Sequence, residues 1–297
     1  SGNPKTIGFY YWDNVSSDWT SVGNNQTSGW SITGNSGINA ATHFMGTTND
    51  ADVVFKRNNS RAGLLGVDNT SFGNAALYPL STGIFNSAFG YSAMLFNQSG
   101  SFNSAFGTSV LAVNTTGDRN SAFGGSALQG NTTGADNAAF GVQALSTNTT
   151  GSNNSAYGNF SLISNGTGSN NAAFGNSALD SNTTGNNNTA FGTGALSSST
   201  TISGLTAFGY NALADNTLGI ENSALGYNSL ANNTTGSSNV ANGYNALFNN
   251  TTGNENTAIG AYALLNNTIG IFNTANGARS LYSNTTGSSN TANGDAA

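Results

Sequence analysis

"GNNNTAFGTGAL" at residues 185–196 returns as "GNENTAIGAYAL" at 253–264, and the same cadence runs through most of the chain. Its glycine falls at 73, 90, 107, 124, 141, 158, 175, 192, 209, 226, 243, 260, 277 and 294, always 17 residues apart and never interrupted by an insertion. Self-similarity at a fixed period is the mark of stacked repeats, each unit burying its apolar side against the next. With this glycine placed at position 5 of a 17-residue unit, position 1 is Asn except at Leu205, and position 3 is Ala except at Ser71. Position 9 is Leu except at Met94, position 8 is small, and position 15 is a second Gly except at Ile202.

Two glycines per unit offer two places for a turn at positive φ, leaving two short segments at positions 1–4 and 7–10. Frequent Gly and Asn disfavour helix, and 17 residues with two turns leave no room for a helix of ordinary length. The spacing predicts an all-β fold, a parallel β-solenoid or β-roll, with both segments of each turn pairing with their equivalents one turn away. Residues 69–297 form this array of about 14 repeats, and residues 1–68 a small β-rich N-terminal domain for assembly or capping. Within that first part "IGFYYW" and "DWTSVG" flank a polar "DNVSS" turn, and "DADVVFKRN" reads as a further strand. It holds all three Trp (Trp12, Trp19, Trp30), the single His43, and the basic Lys5, Lys56, Arg57 and Arg61.

The positions constant in size are expected inside: Ala at 3, and a core ladder of Leu128, Leu145, Leu162, Leu179, Leu196, Leu213, Leu230, Leu247 and Leu264. Asn at position 1 is expected either to bond its equivalents in a side-chain ladder or to serve as a turn residue. Position 4 holds Phe72, Phe89, Phe106, Phe123, Phe140, Tyr157, Phe174, Phe191 and Phe208, then Leu225, Asn242, Ile259, Asn276 and Asn293. In a strand, position 4 faces away from position 3, so an inward Ala sets the aromatics in a column outside. The opposite assignment would bury the Asn replacements in the core, where their amides need partners. An outer apolar stripe of that length exceeds what a soluble monomer ordinarily exposes, and it makes those nine residues the candidate self-assembly interface.

"NSAFG", "NTAFGTGAL" and "NTAIGAYAL" resemble the head repeats of trimeric bacterial autotransporter adhesins, on the Asn, Ala, apolar and Gly positions such as Asn256, Ala258, Ile259 and Gly260. That resemblance implies a left-handed parallel β-roll with three chains side by side. The 17-residue period, the extra Leu and the "NTTG" stretch depart from it. The array is also similar to bacterial and phage tail-fibre-like surface proteins, which carry "NTAFGYxAL…NTTG" arrays after a segment like residues 30–66 here. This second resemblance implies a fibrous protein located extracellularly, at a cell surface or on a virion.

Composition narrows the function. The 297 residues include 40 Gly and no Cys, only 6% charged residues, 10% aromatic and 36% hydrophobic, with net charge −6. The absence of Cys removes thiolate and disulfide chemistry. Six Lys and Arg against twelve Asp and Glu are too few for phosphate recognition, so no nucleic acid is expected as a partner. No stretch approaches the ~20 apolar residues of a membrane span. The opening "SGNPKTIGFYYWD" lacks the basic and apolar parts of a secretory leader, so any leader is expected to have been removed. The final "SSNTANGDAA" is still in repeat register, and another subunit is expected to cover that end, giving a head-to-tail filament.

No catalytic set is visible: His43 stands alone, and the acids of the repeats (Asp118, Asp180, Glu221, Glu255) sit at variable positions. Asp50, Asp52 and Asp68 lack the spacing of an EF-hand loop. No enzyme, metal or cofactor is expected. Asn114, Asn131, Asn148, Asn182, Asn233, Asn250 and Asn284, and Asn165 in "NGT", lie in Asn-x-Thr sequons where a surface turn is expected, so they are candidate glycosylation sites; equally, Asn, Thr and Gly simply make good turns. Adjacent Thr at positions 13 and 14, as at Thr115 and Thr116, raise ice binding as a minor alternative. The leading expectation is a non-enzymatic subunit of an extracellular fibre or surface filament, associating with itself as a homotrimer or head to tail, and adhesive to a cell-surface or glycan receptor. A receptor-binding phage tail fibre is the second reading, and an ice- or glycan-binding rod the third.

Overall fold

The fold of the repeats follows from one alternation along each strand, Ala at position 3 turned inward and the residues at positions 2 and 4 turned outward. The computed structural model describes residues 10–13, 18–21, 51–78 and 81–297, with side chains from residue 51 onward. Trp30, His43 and Asp50 lie outside the described residues, as do the side chains of Trp12 and Trp19. The chain divides into two compact units, Ser1–Val53 and Val54–Ala297. In the first, β1 (Tyr10–Asp13) pairs antiparallel with β2 (Asp18–Ser21), the hairpin expected around "DNVSS".

The second unit is a parallel β-solenoid. Its sheet begins with β3 (Val53–Arg57) and β4 (Ser60–Leu65), joined through Asn58 and Asn59, both at positive φ as a two-residue hairpin turn requires. β4 runs antiparallel to β5 (Asn69–Phe72). From there each 17-residue turn adds one parallel strand in strict register, ending at β18 (Thr291–Asn293). The register pairs like with like: Ala156 lies beside Ala139 and Ala173, and Tyr157 beside Phe140 and Phe174. Residues 53–68, grouped with the N-terminal part by composition, therefore supply the first two strands of the solenoid sheet. Their charged residues mask a continuous ladder.

Arg61 explains why the antiparallel hairpin belongs at this end. In every later turn the carbonyl at position 8 accepts from the position-9 amide of the turn before, as the Val110 carbonyl does from the Met94 amide at 2.9 Å. Ala76 in the first turn has no such predecessor, and the Arg61 guanidinium donates to its carbonyl at 3.1 Å and also to that of Leu77. The hairpin thus satisfies backbone groups that a bare solenoid end would leave orphaned.

Among the described residues one strand forms per turn, at positions 2–4, and at positions 1–4 in the first two turns. The segment at positions 7–10, expected to be a second strand, is instead a series of turns, because positions 7 and 9 both adopt left-handed backbone conformations. Its amides still bond from turn to turn, as when Leu128 donates to the Ala144 carbonyl at 3.0 Å. The Leu at position 9 holds φ between +47° and +55° in every turn. A non-glycine residue pays about 1–2 kcal/mol for that conformation, and burial offsets it. Leu128, Leu145, Leu162, Leu179, Leu196, Leu213, Leu230, Leu247 and Leu264 are all 0% exposed, stacked beside the position-3 and position-8 Ala columns as the core.

The two glycines differ in purpose. At position 5 they sit at φ of +121° to +146°, a region closed to other residues. At position 15 the backbone is ordinary, and glycine is needed for close approach. A Cβ on Gly134 would collide with the Gly151 carbonyl and with the amides of Asn131 and Asn148. The expectation of a second positive-φ turn there is corrected: the third corner of each turn is made at position 17, by residues such as Asn153, Asn170 and Asn187 at φ of +57° to +60°.

Candidate functional site: an aromatic column on the outer sheet face

Alternation along each three-residue strand decides what the solenoid shows to its surroundings. Ala at position 3 is buried at or near 0% exposure from Ala88 to Ala275, which turns positions 2 and 4 outward. Position 4 gives a ridge and position 2 a furrow of Ser, Ala and Thr interrupted by Val240, as in "SAF" at 104–106 and "AAF" at 138–140. No strand from β5 to β18 carries a charged residue at either position.

The ridge is a continuous stack. Phe72, Phe89, Phe106, Phe123, Phe140, Tyr157, Phe174, Phe191 and Phe208 follow one another with ring centroids 4.4–5.7 Å apart, and from Phe89 onward their planes are within 10° of parallel. Each ring is half-buried by its neighbours, and Tyr157, Phe191 and Phe208 remain 37–38% exposed. Neighbouring rings cover one another's faces, so the column offers mainly ring edges. A ligand that packs face-on, such as a sugar ring laying its C–H face on an aromatic ring, finds few faces free; an extended apolar surface can lie along the edges. Phe55 of β3 starts the column, 5.5 Å from Phe72. Phe55 falls 17 residues before Phe72, on the spacing of the column, but Lys56 stands where every later ring is followed by Gly, and sequence reasoning missed it.

The column ends at Phe208, and position 4 continues as Leu225, Asn242, Ile259, Asn276 and Asn293. A second aromatic stack then starts at position 6. Tyr210, Tyr227 and Tyr244 lie 5.0 and 5.2 Å apart in near-parallel planes, and Tyr262 meets Tyr244 edge-on at 5.2 Å. No stack of tyrosines was expected from the sequence, although Tyr at 210, 227 and 244 repeats with the period.

The sequon asparagines are not at the surface. Asn114, Asn131, Asn148, Asn165, Asn182, Asn233 and Asn250 are all 0% exposed, and Asn284 is half-buried. Each Nδ2, the atom a glycan would join, donates to the Oδ1 of the Asn one turn earlier and to the carbonyl of the residue three further on. For Asn131 those bonds are 2.8 Å to Asn114 and 2.9 Å to Gly134. An attached sugar is sterically incompatible with this ladder. The surface position expected for them is corrected: Asn-Thr-Thr-Gly is a corner whose first residue points in.

The position-1 asparagines form a second internal ladder, as one of the two expectations for them had it. Asn120 donates from Nδ2 to Asn103 Oδ1 at 3.1 Å and to the Gly134 carbonyl at 2.9 Å, and its own Oδ1 accepts from the Asn137 amide. Threonine at position 13 is likewise committed, Thr115 donating its hydroxyl to the Thr132 carbonyl at 2.8 Å. Both ladders break in one place. Ser199 replaces Asn at position 12 and Leu205 replaces it at position 1, with Ile202 in place of Gly between them. Asn182 Oδ1 and Ser199 Oγ are left without partners there.

Charge plays a minor part. Arg119 donates to Asp136 one turn on at 2.6 and 2.9 Å, and this holds the Asp136 carboxyl below the usual carboxylate range. Burial pushes the Asp180 carboxyl up, opposed by the Ser181 hydroxyl and amide. Asp52 is exposed, and among the described residues no three His, Cys, Asp or Glu side chains gather where they could hold a metal ion. Nor, among the described residues, is any helix long and apolar enough to cross a membrane. Comparisons with protein-family models, with curated proteins and with solved structures find no match to this chain.

Proposed function

We propose that the chain is a non-enzymatic structural subunit of an extracellular fibre or surface filament, and that its copies associate side by side through the outer sheet face. The observation that carries this reading is the unbroken, outward, charge-free column from Phe72 to Phe208. Fourteen strands at about 4.8 Å spacing make a face roughly 60 Å long, and three residues per strand make it about 10 Å wide. Two such faces in contact bury on the order of 1,200 Å², the lower limit for a specific interface. The partner best matched to a stack of this period is another stack of the same period. Despite the net charge of −6, like charges do not meet when two copies of this face approach. Adhesion to a cell-surface or glycan receptor would then belong to surfaces the assembled fibre leaves free.

Sedimentation of the full chain tests the proposal, set beside a variant with Phe106→Asn, Phe140→Asn and Phe174→Asn. Asn occupies this position naturally at 242, 276 and 293 with the strand intact, so the variant is expected to keep its β circular dichroism. The native chain is expected to sediment as oligomers and the variant as monomers. A native chain that stays monomeric at micromolar concentration, or a variant that associates equally well, overturns the reading.

A further inference from the structure

The tyrosine stack suggests chemistry that the phenylalanine column cannot perform. Tyr210, Tyr227 and Tyr244 are 45–46% exposed and project from successive turns, with ring centroids no more than 5.2 Å apart. Tyr262 extends the series, its ring at 69° to that of Tyr244. Among the described residues these hydroxyls have no hydrogen-bond partner, in contrast to the Asn and Thr side chains of the ladders. The chain has no Cys and Met94 is fully buried; Tyr78, Tyr91 and Tyr282 are exposed as well, but among the described residues none of them stacks on another tyrosine.

We propose that Tyr210, Tyr227, Tyr244 and Tyr262 form an oxidative coupling site, at which a peroxide-driven haem peroxidase joins neighbouring rings as dityrosine. Each of two phenols gives up one electron and its hydroxyl proton to become a phenoxyl radical. The radicals join through their ortho carbons, and the two ortho hydrogens return as protons when the rings regain aromaticity and the oxygens are reprotonated. One hydrogen peroxide is reduced to two waters, and the protein loses two hydrogens per bond. Coupling requires two radicals close together and free to turn. Stacking on adjacent turns, with ring centroids 5.0 and 5.2 Å apart, supplies proximity, and the exposed outer edge supplies freedom to splay. The product is a covalent staple between turns, in a chain that cannot make a disulfide.

Tyr157 is the built-in control. It is similarly exposed, at 38%, but its stacking neighbours are Phe140 and Phe174, so a radical formed there has no stacked phenol beside it among the described residues. The inference concerns bonds within one chain and does not depend on self-association.

The test treats the dilute full chain with a haem peroxidase and hydrogen peroxide, then isolates the monomer fraction for intact mass, dityrosine fluorescence and peptide mapping. The monomer is expected to lose two hydrogens per coupling, with cross-links mapping to Tyr210–Tyr227, Tyr227–Tyr244 or Tyr244–Tyr262. Tyr157→Phe is expected to leave the yield unchanged. Substituting Phe at 210, 227, 244 and 262 together is expected to abolish coupling in the monomer while β circular dichroism persists. A native monomer that loses no hydrogens, or coupling that survives the fourfold substitution, overturns the proposal.

Discussion

Asn131 Nδ2 lies 2.8 Å from Asn114 Oδ1, one full turn earlier, and both side chains are completely buried. The same Asn131 donates to the Gly134 carbonyl and accepts from Asn148 Nδ2 at 2.8 Å. Three hydrogen bonds thus pass through one fully buried amide. Asn131→Ala removes all three, and at ~1 kcal/mol each the expected loss is about 3 kcal/mol. Asn131→Asp keeps the acceptor but replaces two donations with a buried charge, so it is expected to cost more. Equilibrium chemical denaturation measures both against Asn153→Asp, an exposed site in the next turn. Equal tolerance at 131 and 153 would show that the ladder does not hold the turns together.

The glycines at position 15 are a steric requirement that can be tested by one methyl group. On Gly134 an added Cβ meets the Gly151 carbonyl and the Asn131 amide far inside contact distance, whereas on Gly125 it meets nothing within 4 Å. Gly134→Ala is expected to cost about 1–3 kcal/mol or more, as overpacking does. Gly125→Ala is expected to be neutral, or to stabilise by up to ~1 kcal/mol through the unfolded chain. Thermal unfolding of the two variants checks the ordering, and similar melting temperatures would refute the close-approach account.

Much of this was legible in the residues. A period of 17 with constant Ala at 3 and Leu at 9 specifies stacked turns with those columns inside, and Ala88 and Leu128 are indeed fully buried. The outward direction of Phe123 followed from the same alternation. What stayed hidden was backbone conformation set by packing. Leucine resists positive φ, so nothing about Leu145 in isolation points to its left-handed backbone or to the turns that replace a second strand. Asn131 was hidden for a different reason: Asn-Thr-Thr-Gly is good surface-turn chemistry, and it masked the inward side chain. A signal did exist. Asn recurs at position 12 from 97 to 284 with Ser199 as its only interruption, nearly as regular as position 1.

Asp180 gives a pH-dependent handle. Burial raises its carboxyl above the ordinary value, so the folded state binds the proton more tightly than the unfolded chain does. Stability linked to that proton is complete below the unfolded value of about 3.9 and is lost as pH rises through the higher folded value. Above the unfolded value the carboxyl therefore works against folding, because the unfolded chain ionises more readily than the folded one. Asp180→Asn is expected to raise the melting temperature at neutral pH, and the gain should shrink on acidification and vanish below the unfolded value. A gain independent of pH would assign the effect to hydrogen bonding with Ser181 and not to charge.

The seam at residues 199–205 is where the solenoid should open first. Ser199 is too short to reach Asn182 Oδ1, which is buried without a donor, and Asn216 across the gap donates only to Gly219 at 2.9 Å. Ser199→Asn restores the missing link: its Nδ2 can donate to Asn182, and its Oδ1 can accept from Asn216, as at every regular turn. Two recovered bonds and one relieved acceptor are worth about 1–3 kcal/mol. Hydrogen exchange should show amides of residues 198–206 exchanging faster than their equivalents at 147–155 in the native chain, and slowing to match them in the variant. Uniform exchange along the native rod would mean that Leu205, which is buried at position 1, already closes the seam by apolar packing alone.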